Sequence, residues 1–497
     1  MKFRVEREAL GEAVAWVARA LPARPVIPVL SGLLVEASGA GLTLSCFDYE
    51  VSARVVIPAE VAEPGAALVP GRLLAEITRS LPPRDVEISS VADMVSLSCG
   101  SAEFELVSLP VQEYPGLPEP SAPAGTVDGG VLAAAAAQVV PSASRDDTLP
   151  MLTGVCLDID GTAMTLAATD RYRLAVRTVD WTPAAAGLRA AALVPARTLA
   201  DVARTMDAGI PVSIAFTTAP EDAGPAAAEP HPAAGMISFE GGGRRLTARL
   251  IGGDFIRYRS RFPAEFGCRA EVQAEPFMAA VRRVSLVADR ASPVRLTFGG
   301  GEVAIEAHTD GRARAAESVA ASFTGAESVI SFNPHYLLDG LAAAAICGAA
   351  VRPQAGAVRG ADGEPGAAPA AAPEPGRIRL EFTSPAKPAL VTWAGYADLT
   401  ETEVGEDGAG DTEAGHTQAG KTRTGKARAG EREVGVTRAG EDGAAEAEGG
   451  GDVPGTDTAA AAGAEAKAAS GDAASPPAFR YLVVPLRSPA GPATSRA

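Results

Sequence analysis

Pro28-Val29-Leu30-Ser31-Gly32-Leu33-Leu34-Val35-Glu36 and Pro150-Met151-Leu152-Thr153-Gly154-Val155-Cys156-Leu157-Asp158 are two versions of one pattern, and their recurrence decides the fold. The first runs on to Leu42-Thr43-Leu44-Ser45-Cys46-Phe47-Asp48 and the second to Met164-Thr165-Leu166-Ala167-Ala168-Thr169-Asp170, and in both the aspartate lies 20 positions after the proline. A third, weaker copy runs from Pro293-Val294-Arg295-Leu296-Thr297-Phe298 to Val303-Ala304-Ile305-Glu306-Ala307-His308-Thr309-Asp310. Self-similarity at a fixed period marks a repeated architecture. Alternating apolar residues on either side of a glycine-rich turn read as a β-hairpin in each copy.

Working outward, each hairpin is flanked by helical patterns. Leading helices are expected at 8–21, 129–140 and 276–289; in the first, Leu10, Val14, Val17, Ala18 and Leu21 make one apolar stripe. Following helices are expected to begin at Val69-Pro70-Gly71-Arg72, Val194-Pro195-Ala196-Arg197 and Phe332-Asn333-Pro334-His335, with proline near the start, where its missing N–H costs nothing. The unit is an α+β module of antiparallel sheet and two helices. Three segments interrupt the repeat: 219–236, 348–376 and 397–477. Without them 369 residues remain, or 123 per module, against an Asp48 to Asp170 separation of 122. The expected boundaries are 1–120, 121–266 and 267–497. The segment 397–477 is a charged Gly/Ala/Thr/Glu tract too poor in apolar residues to offset its chain entropy, so disorder is expected there. Strand character returns at Phe479-Arg480-Tyr481-Leu482-Val483-Val484-Pro485, which makes the tract an insertion within the last module.

Composition narrows the function. Five scattered cysteines without a C-x-x-C pair exclude a disulfide scaffold and a zinc pattern, and fit a reducing, cytoplasmic setting. No run reaches the ~18–20 apolar residues of a membrane span. A formal charge of −17 argues against bulk attraction to nucleic acid, but a net charge is an average, so the placement of the 44 basic residues decides. There is no phosphate-binding loop, H-E-x-x-H or G-x-S-x-G, and the glycine clusters at 240–243 and 299–301 fit hairpin turns. No cofactor, metal or catalytic residue is expected.

In the following helices, Arg72, Glu76 and Arg79 recur as Arg197, Asp201 and Arg204 with the same spacing of four then three. Each trio shares a helix face, with Leu73, Leu74, Ile77 and Leu81 placed elsewhere. Such a stripe suits a phosphate backbone; a solvated face laced with i,i+3 and i,i+4 ion pairs is the plainer alternative. In the third module Tyr336, Gly340 and Ala343 are taken as the matching positions, while Arg282, Arg283 and Arg290 lie on its leading helix.

These features together resemble the bacterial beta sliding clamp family, most closely its actinobacterial members, over nearly the whole chain outside the three insertions. The resemblance rests on MKFRVER at the start, LPARPVIPVLSGLLVEA at 21–37, FDYEVSARV at 47–55, VPGRLLAEITRSLP at 69–82, ATDRYRLAV at 168–176, FNPHYLLDGL at 332–341 and YLVVPLR at 481–487. It implies three clamp domains per chain, two chains joined head to tail into a ring, helices lining the hole and sheets outside. It also implies a non-catalytic processivity subunit that surrounds double-stranded DNA without regard to sequence and is placed there by a clamp loader. By match to family motifs, Arg24, Arg72, Arg79 and Arg197 face DNA. Phe104 and Leu106 form one side of the ring interface and Leu286 the other. An apolar cleft between modules two and three takes leucine- and phenylalanine-rich peptides of polymerase and loader; its matching positions are Leu152, Thr169, Arg171, Tyr172, Arg173, Leu174, Ile256, Ala386, Pro388, Leu482, Val484, Pro485, Leu486 and Arg487.

The chain departs from the family pattern in several places. Glu103 stands where a basic residue often precedes the interface phenylalanine, Ser285 where an apolar residue is usual, and Ile256 where a proline is. Arg261 takes a commonly apolar position, and the chain continues through 488–497. Ile256, Arg261 and the 397–477 insertion keep open a specialised paralogue with an altered cleft, such as an antibiotic-resistant stand-in.

Overall fold

In the computed structural model, residues 1–119, 121–205, 208–216, 235–263, 265–289, 292–309, 312–350, 376–394 and 479–486 are described. Module one contains β1 (Lys2–Val5), α1 (Arg7–Val17), β2 (Gly32–Ser38), β3 (Gly41–Phe47), β4 (Val51–Ile57), β5 (Glu60–Glu63), β6 (Gly65–Pro70), α2 (Gly71–Ser80), β7 (Val86–Val91), β8 (Met94–Cys99) and β9 (Ala102–Val107). Module two repeats this order with β10 (Gly125–Asp128), α3 (Gly129–Val139), β11 (Gly154–Asp160), β12 (Ala163–Thr169), β13 (Arg173–Asp180), β14 (Thr182–Pro183), β15 (Arg189–Pro195), α4 (Ala196–Ala203), β16 (Pro211–Phe216), β17 (Met236–Gly241) and β18 (Arg244–Arg249). Module three has β19 (Cys268–Gln273), α5 (Ala274–Ser285), β20 (Val294–Gly299), β21 (Glu302–Thr309), β22 (Ala313–Thr324), β23 (Ser328–Phe332), α6 (Pro334–Ala350), β24 (Arg377–Phe382), β25 (Ala389–Trp393) and β26 (Phe479–Val483).

The recurring hairpins are β2–β3, β11–β12 and β20–β21, all antiparallel. In the first two copies, the proline at the head of the pattern opens a single 3₁₀ turn, and the strand begins at the glycine four residues on. Neighbours lie close over both glycines: a Cβ on Gly32 would lie 2.6 Å from the Leu68 side chain and 2.9 Å from Val29 O, and one on Gly154 2.8 Å from the Leu193 side chain, which would have to shift. Gly242-Gly243 and Gly300-Gly301 close two-residue hairpins with positive φ at both positions, as such turns demand.

Sheets fuse across module boundaries. In the nine-stranded sheet, β18 of module two pairs antiparallel with β4 of module one. In the twelve-stranded sheet, β26 of module three pairs in the same way with β13 of module two. The two junctions share one register: Leu246 opposes Ala53 and Thr247 opposes Ser52, while Tyr481 opposes Ala175 and Leu482 opposes Leu174. The chain also leaves each module alike, through Leu109 N–H to Leu68 O at 2.7 Å, Ile251 N–H to Leu193 O at 2.8 Å and Leu486 N–H to Ser331 O at 2.8 Å. The five-stranded sheet of module one ends at β9, whose outer edge has no partner strand among the described residues.

Several expectations need correction. Helix α1 stops at Val17, where a 3₁₀ turn takes over, and α5 stops at Ser285. Helix α6 runs on to Ala350, beyond the expected start of the second insertion at 348, because its alanine-rich end has high helix propensity. Met236, placed in the first insertion, opens β17. Leu73 does not join its apolar neighbours and is 44% exposed. The expected disorder of 397–477 lies outside the described residues. Among the described residues no helix is long and apolar enough to cross a membrane.

Candidate nucleic-acid and peptide interfaces

Helix α2 is amphipathic because Leu74, Ala75, Ile77 and Thr78 are buried while Arg72, Glu76 and Arg79 stay in solvent. The same spacing on α4 buries Thr198, Leu199 and Val202 and leaves Arg197 exposed. Arg72, Arg79 and Arg197 line one cleft of about 640 Å³ between modules one and two, which Arg19 also borders. Arg24 is exposed on the loop beyond it, and that loop is tied to α2 by Arg72 Nη2 donating to Pro22 O at 3.1 Å. Among the described residues Arg24, Arg72, Arg79 and Arg197 form no ion pair, so the ion-pair-laced alternative fails on α2. It holds for Arg204, which donates to Asp201 at 2.8 Å.

The third module requires a register correction. Leu337 is buried as Leu74 and Leu199 are, so the positions equivalent to Arg72, Glu76 and Arg79 are His335, Asp339 and Ala342, again four then three apart. Tyr336, Gly340 and Ala343 face protein instead. A Cβ on Gly340 would lie 2.4 Å from the Tyr481 ring, and Ala343 O accepts from Gln138 Nε2 at 2.9 Å. Arg283 is engaged by Glu317, at 3.0 and 2.5 Å, and that bond holds the Glu317 carboxyl below its ordinary range. Arg290 lies outside the described residues.

At the second junction the strand pairing places Leu174 against Leu482. These two join Cys156, Ala167, Val176, Leu193, Tyr258 and Leu390 in a satellite apolar cluster, against which Ile256, Phe255 and Phe262 pack half-buried. The tail is anchored by Val484 N–H to Tyr172 O at 2.8 Å. Pro485 and Leu486 follow, half-buried. Leu152 is buried nearby in sequence to β11. Thr169 is also buried, and its hydroxyl donates to Arg173 O at 2.6 Å, which makes it a residue of the turn rather than of an open surface. Arg171, at the apex, has φ +81° and is exposed. Ala386 is exposed and Pro388 half-buried on the β24–β25 loop, and neither belongs to the apolar cluster. Arg487 lies outside the described residues.

Beside this floor, Arg173 organises both modules. Its Nε donates to Asp170 at 2.9 Å, Nη1 to Asp339 at 2.5 Å and Nη2 to Pro141 O. Its guanidinium sits 4.6 Å over the Tyr336 ring, and Tyr336 stacks on the half-exposed Tyr172 with centroids 6.0 Å apart. Sequence reasoning missed Tyr336 and Asp339 as neighbours of the cleft, although their i,i+3 spacing within FNPHYLLDGL was the available signal. Across the floor, Tyr258 donates to Asp158 at 2.7 Å and Arg259 to the same oxygen at 2.9 Å. Burial, and then the Asp158 partner, push the Tyr258 hydroxyl up to about 12.

The first junction has the same backbone and different chemistry. Ser52 and Arg54 stand where Leu174 and Val176 do, and Arg245 and Thr247 where Arg480 and Leu482 do; these four line a polar cleft of about 550 Å³. The junction strands therefore present apolar side chains at the second junction and polar ones at the first, where Leu117, packed against the apolar cluster of Val29, Leu34 and Leu68, also borders the cleft.

For the ring edge, Phe104 is half-buried and Leu106 is buried in the core of module one, only 4% exposed. Leu286, at the end of α5, is 84% exposed, and Ser285 donates its hydroxyl back to Val281 O.

Three homologous modules joined by fused sheets, with exposed arginines on the following helices, define the class of DNA-clamp proteins. Family models described as the N-terminal, central and C-terminal domains of the DNA polymerase III beta subunit match residues 1–118, 126–256 and 259–352. The beta sliding clamp of Streptomyces coelicolor is 51% identical over 343 residues, covering 69% of this chain and 88% of that protein. The beta sliding clamp homolog GriR of Streptomyces muensis is 43% identical over 341 residues, with the same two coverages. Among solved structures, the DNA polymerase sliding clamp of Bacillus subtilis superposes with a TM-score of 0.66 at 25% identity, covering 79% of this chain and 96% of that one. The Pseudomonas aeruginosa clamp bound to griselimycin shares the fold at TM-score 0.66 and 24% identity, with coverages of 80% and 97%. The chain belongs to the DNA polymerase III beta subunit family: it is a sliding clamp, a processivity subunit and not a catalyst.

Proposed function

We propose that two copies of this chain close head to tail around duplex DNA, and that the closed ring tethers polymerase and repair proteins by leucine- and phenylalanine-rich peptides seated at the second junction. The observation that carries this is the pair of internal junctions. Both join the last strand of one module to the third hairpin strand of the preceding module, and the same two strand types, β9 and the first half of β22, are left free at the chain's two ends. Arg24, Arg72, Arg79 and Arg197 meet phosphates in the hole, where contacts position the duplex without reading it. Phe104 and Leu286 meet across the ring joint, with Leu106 buried in module one beside Phe104. Leu174, Leu482 and Ile256 form the peptide floor, Tyr172 and Arg171 its rim, and Val484, Pro485 and Leu486 its far wall; Leu152, Ala386 and Pro388 border it.

Retention on nicked circular DNA, after loading with the host's clamp loader and ATP, tests the reading. Protein held on circles and released when they are linearised is expected; equal loss from both would sink it. Arg72→Glu with Arg197→Glu is expected to weaken loading while leaving peptide binding intact. Each arginine removed from a phosphate lowers the slope of log affinity against log salt by about 0.9.

The specialised-paralogue reading draws on Ile256 against the floor, on the exposed Arg261 and on the 397–477 insertion. The greater identity to the Streptomyces coelicolor clamp, 51% against 43% for GriR, favours the ordinary clamp. Affinity for the standard clamp-binding peptide separates the two, since a loss beyond about 1.4 kcal/mol means a grip tenfold weaker.

A further inference from the structure

The two internal junctions give the register of the joint between two chains. Hairpin pairing fixes the correspondence: Phe47 opposes Ser52, Thr169 opposes Leu174 and His308 opposes Arg314, so Ser52, Leu174 and Arg314 are equivalent. On the other strand type, Cys99 pairs with Ala102 and Gly241 with Arg244 across two-residue turns, so Glu105 is equivalent to Thr247. At the first junction Thr247 opposes Ser52, and at the second its counterpart Leu482 opposes Leu174. Resting on the ring reading above, we propose that Glu105 stands directly opposite the partner subunit's Arg314 and that this pair, flanked by Glu103, is a charge lock that selects a second copy of this chain.

Three observations support the assignment. Residues at the equivalent internal positions are buried: Thr247 at 4%, Leu246 at 6%, Ser52 at 5% and Leu174 at 5%. At the chain's ends, Glu103, Glu105, Arg314 and Ala316 are all exposed, although their backbones hold the same strand geometry. The parity is also right. Phe104 faces the core side and falls opposite the partner subunit's Ala315, which occupies the place of Ala53 and Ala175, so a large ring meets a small residue as Leu246 and Tyr481 do internally. Finally, the two edges carry opposite charge on their outward faces: Glu103 and Glu105 on β9, Arg314 on β22 with Arg312 just before it. Within its own chain Arg314 already holds Glu306 at 2.8 Å with its side chain 73% exposed, which leaves donors for a second carboxylate. Opposite charges directly across a ladder stabilise it, like charges there repel, and that difference rejects partners with a basic edge. Glu103, a departure from the family pattern, thus belongs to the joint and not to the hole.

The test uses the full chain and sedimentation velocity across concentration. Glu105→Arg and Arg314→Glu are each expected to raise the dimer dissociation constant at least tenfold. Mixing the two variants restores ring dimers, because both joints of the mixed ring then carry one acid opposite one base. Circular dichroism and binding of the clamp peptide confirm that each variant is folded. Single variants that dimerise as tightly as the unaltered chain, or a mixture that stays dissociated, would overturn the lock while leaving the ring intact. An unaltered chain that is monomeric at every concentration would instead overturn the ring reading itself.

Discussion

Arg173 shows how one side chain ties a binding surface to the fold beneath it. Its side chain is 10% exposed and is shared by Asp170 of its own module and Asp339 of the next, with Tyr336 below the guanidinium. Truncating one partner of a buried charge network leaves the others unpaired, which costs about 3–5 kcal/mol. Asp339 is 43% exposed and recovers water, so Arg173→Ala is expected at the lower end, read by urea denaturation, with weaker peptide binding because the Tyr336 ring on which Tyr172 stacks loses the cation that holds it. The cysteines make a second prediction. Burial, the dominant cause, raises Cys46 and Cys156 from 9.0 to about 12. A folded value above the unfolded one means that the stabilisation is complete below pH 9.0 and is lost as pH climbs toward about 12. The native protein is expected to resist alkylation at about pH 9.5, where the urea-unfolded chain reacts fully, and its melting temperature falls through that window. Rapid native alkylation of Cys156 would contradict this.

At the scale of elements, the junction strands do the joining and α6 sets their spacing. Gly340 lets α6 lie against Tyr481, whose hydroxyl donates to Tyr336 O at 2.7 Å. Gly340→Ala inserts a methyl into that contact, and overpacking of this kind costs about 1–3 kcal/mol. The expected result is a lower urea midpoint together with weaker peptide affinity, since the displaced ring carries β26 and Leu482 with it. A stabilised protein would mean that the helix gain outweighs the clash. The turn between β25 and β26 is another element-level matter. Modules one and two close the equivalent hairpin with two residues, at Gly100-Ser101 and Gly242-Gly243. Replacing 394–478 with Asn-Gly, which closes Trp393 onto Phe479 in the same way, is therefore expected to preserve the fold and the peptide cleft, with a melting temperature within a few degrees of the full chain. Collapse of the second junction on excision would refute it.

Over the whole molecule, charge is unevenly distributed. Residues 397–477 contain 17 acidic and seven basic residues, so they hold −10 of the total −17. The same excision removes most of the net negative charge from a clamp whose cleft between modules one and two carries Arg19, Arg72, Arg79 and Arg197. Loaded clamps lacking the segment are expected to stay on circular DNA at higher salt than the full chain, because long-range repulsion of phosphate is reduced. Identical salt sensitivity would show that the segment's charge does not reach the hole.

How much of this was legible beforehand follows from what each kind of signal measures. The hairpin repeat, the glycine clusters at its turns, and the four-then-three arginine spacing are local patterns, and local patterns survive in sequence because backbone geometry and helix periodicity impose them. The match of Tyr336 to Arg72 was off by one, because only burial of Leu337 against Leu74 fixes the register of a helix without charges. Thr169 and Leu106 look like surface residues in a motif and prove to be buried, since exposure depends on what the rest of the chain lays over a strand. The sequence by itself determined three α+β modules, the basic helix faces and the family. Only the tertiary structure decided that the paired strands present apolar side chains at one junction and polar ones at the other, and which edges stay open. Those are properties of strands brought together from distant parts of the chain, and no local pattern records which strand will be the neighbour.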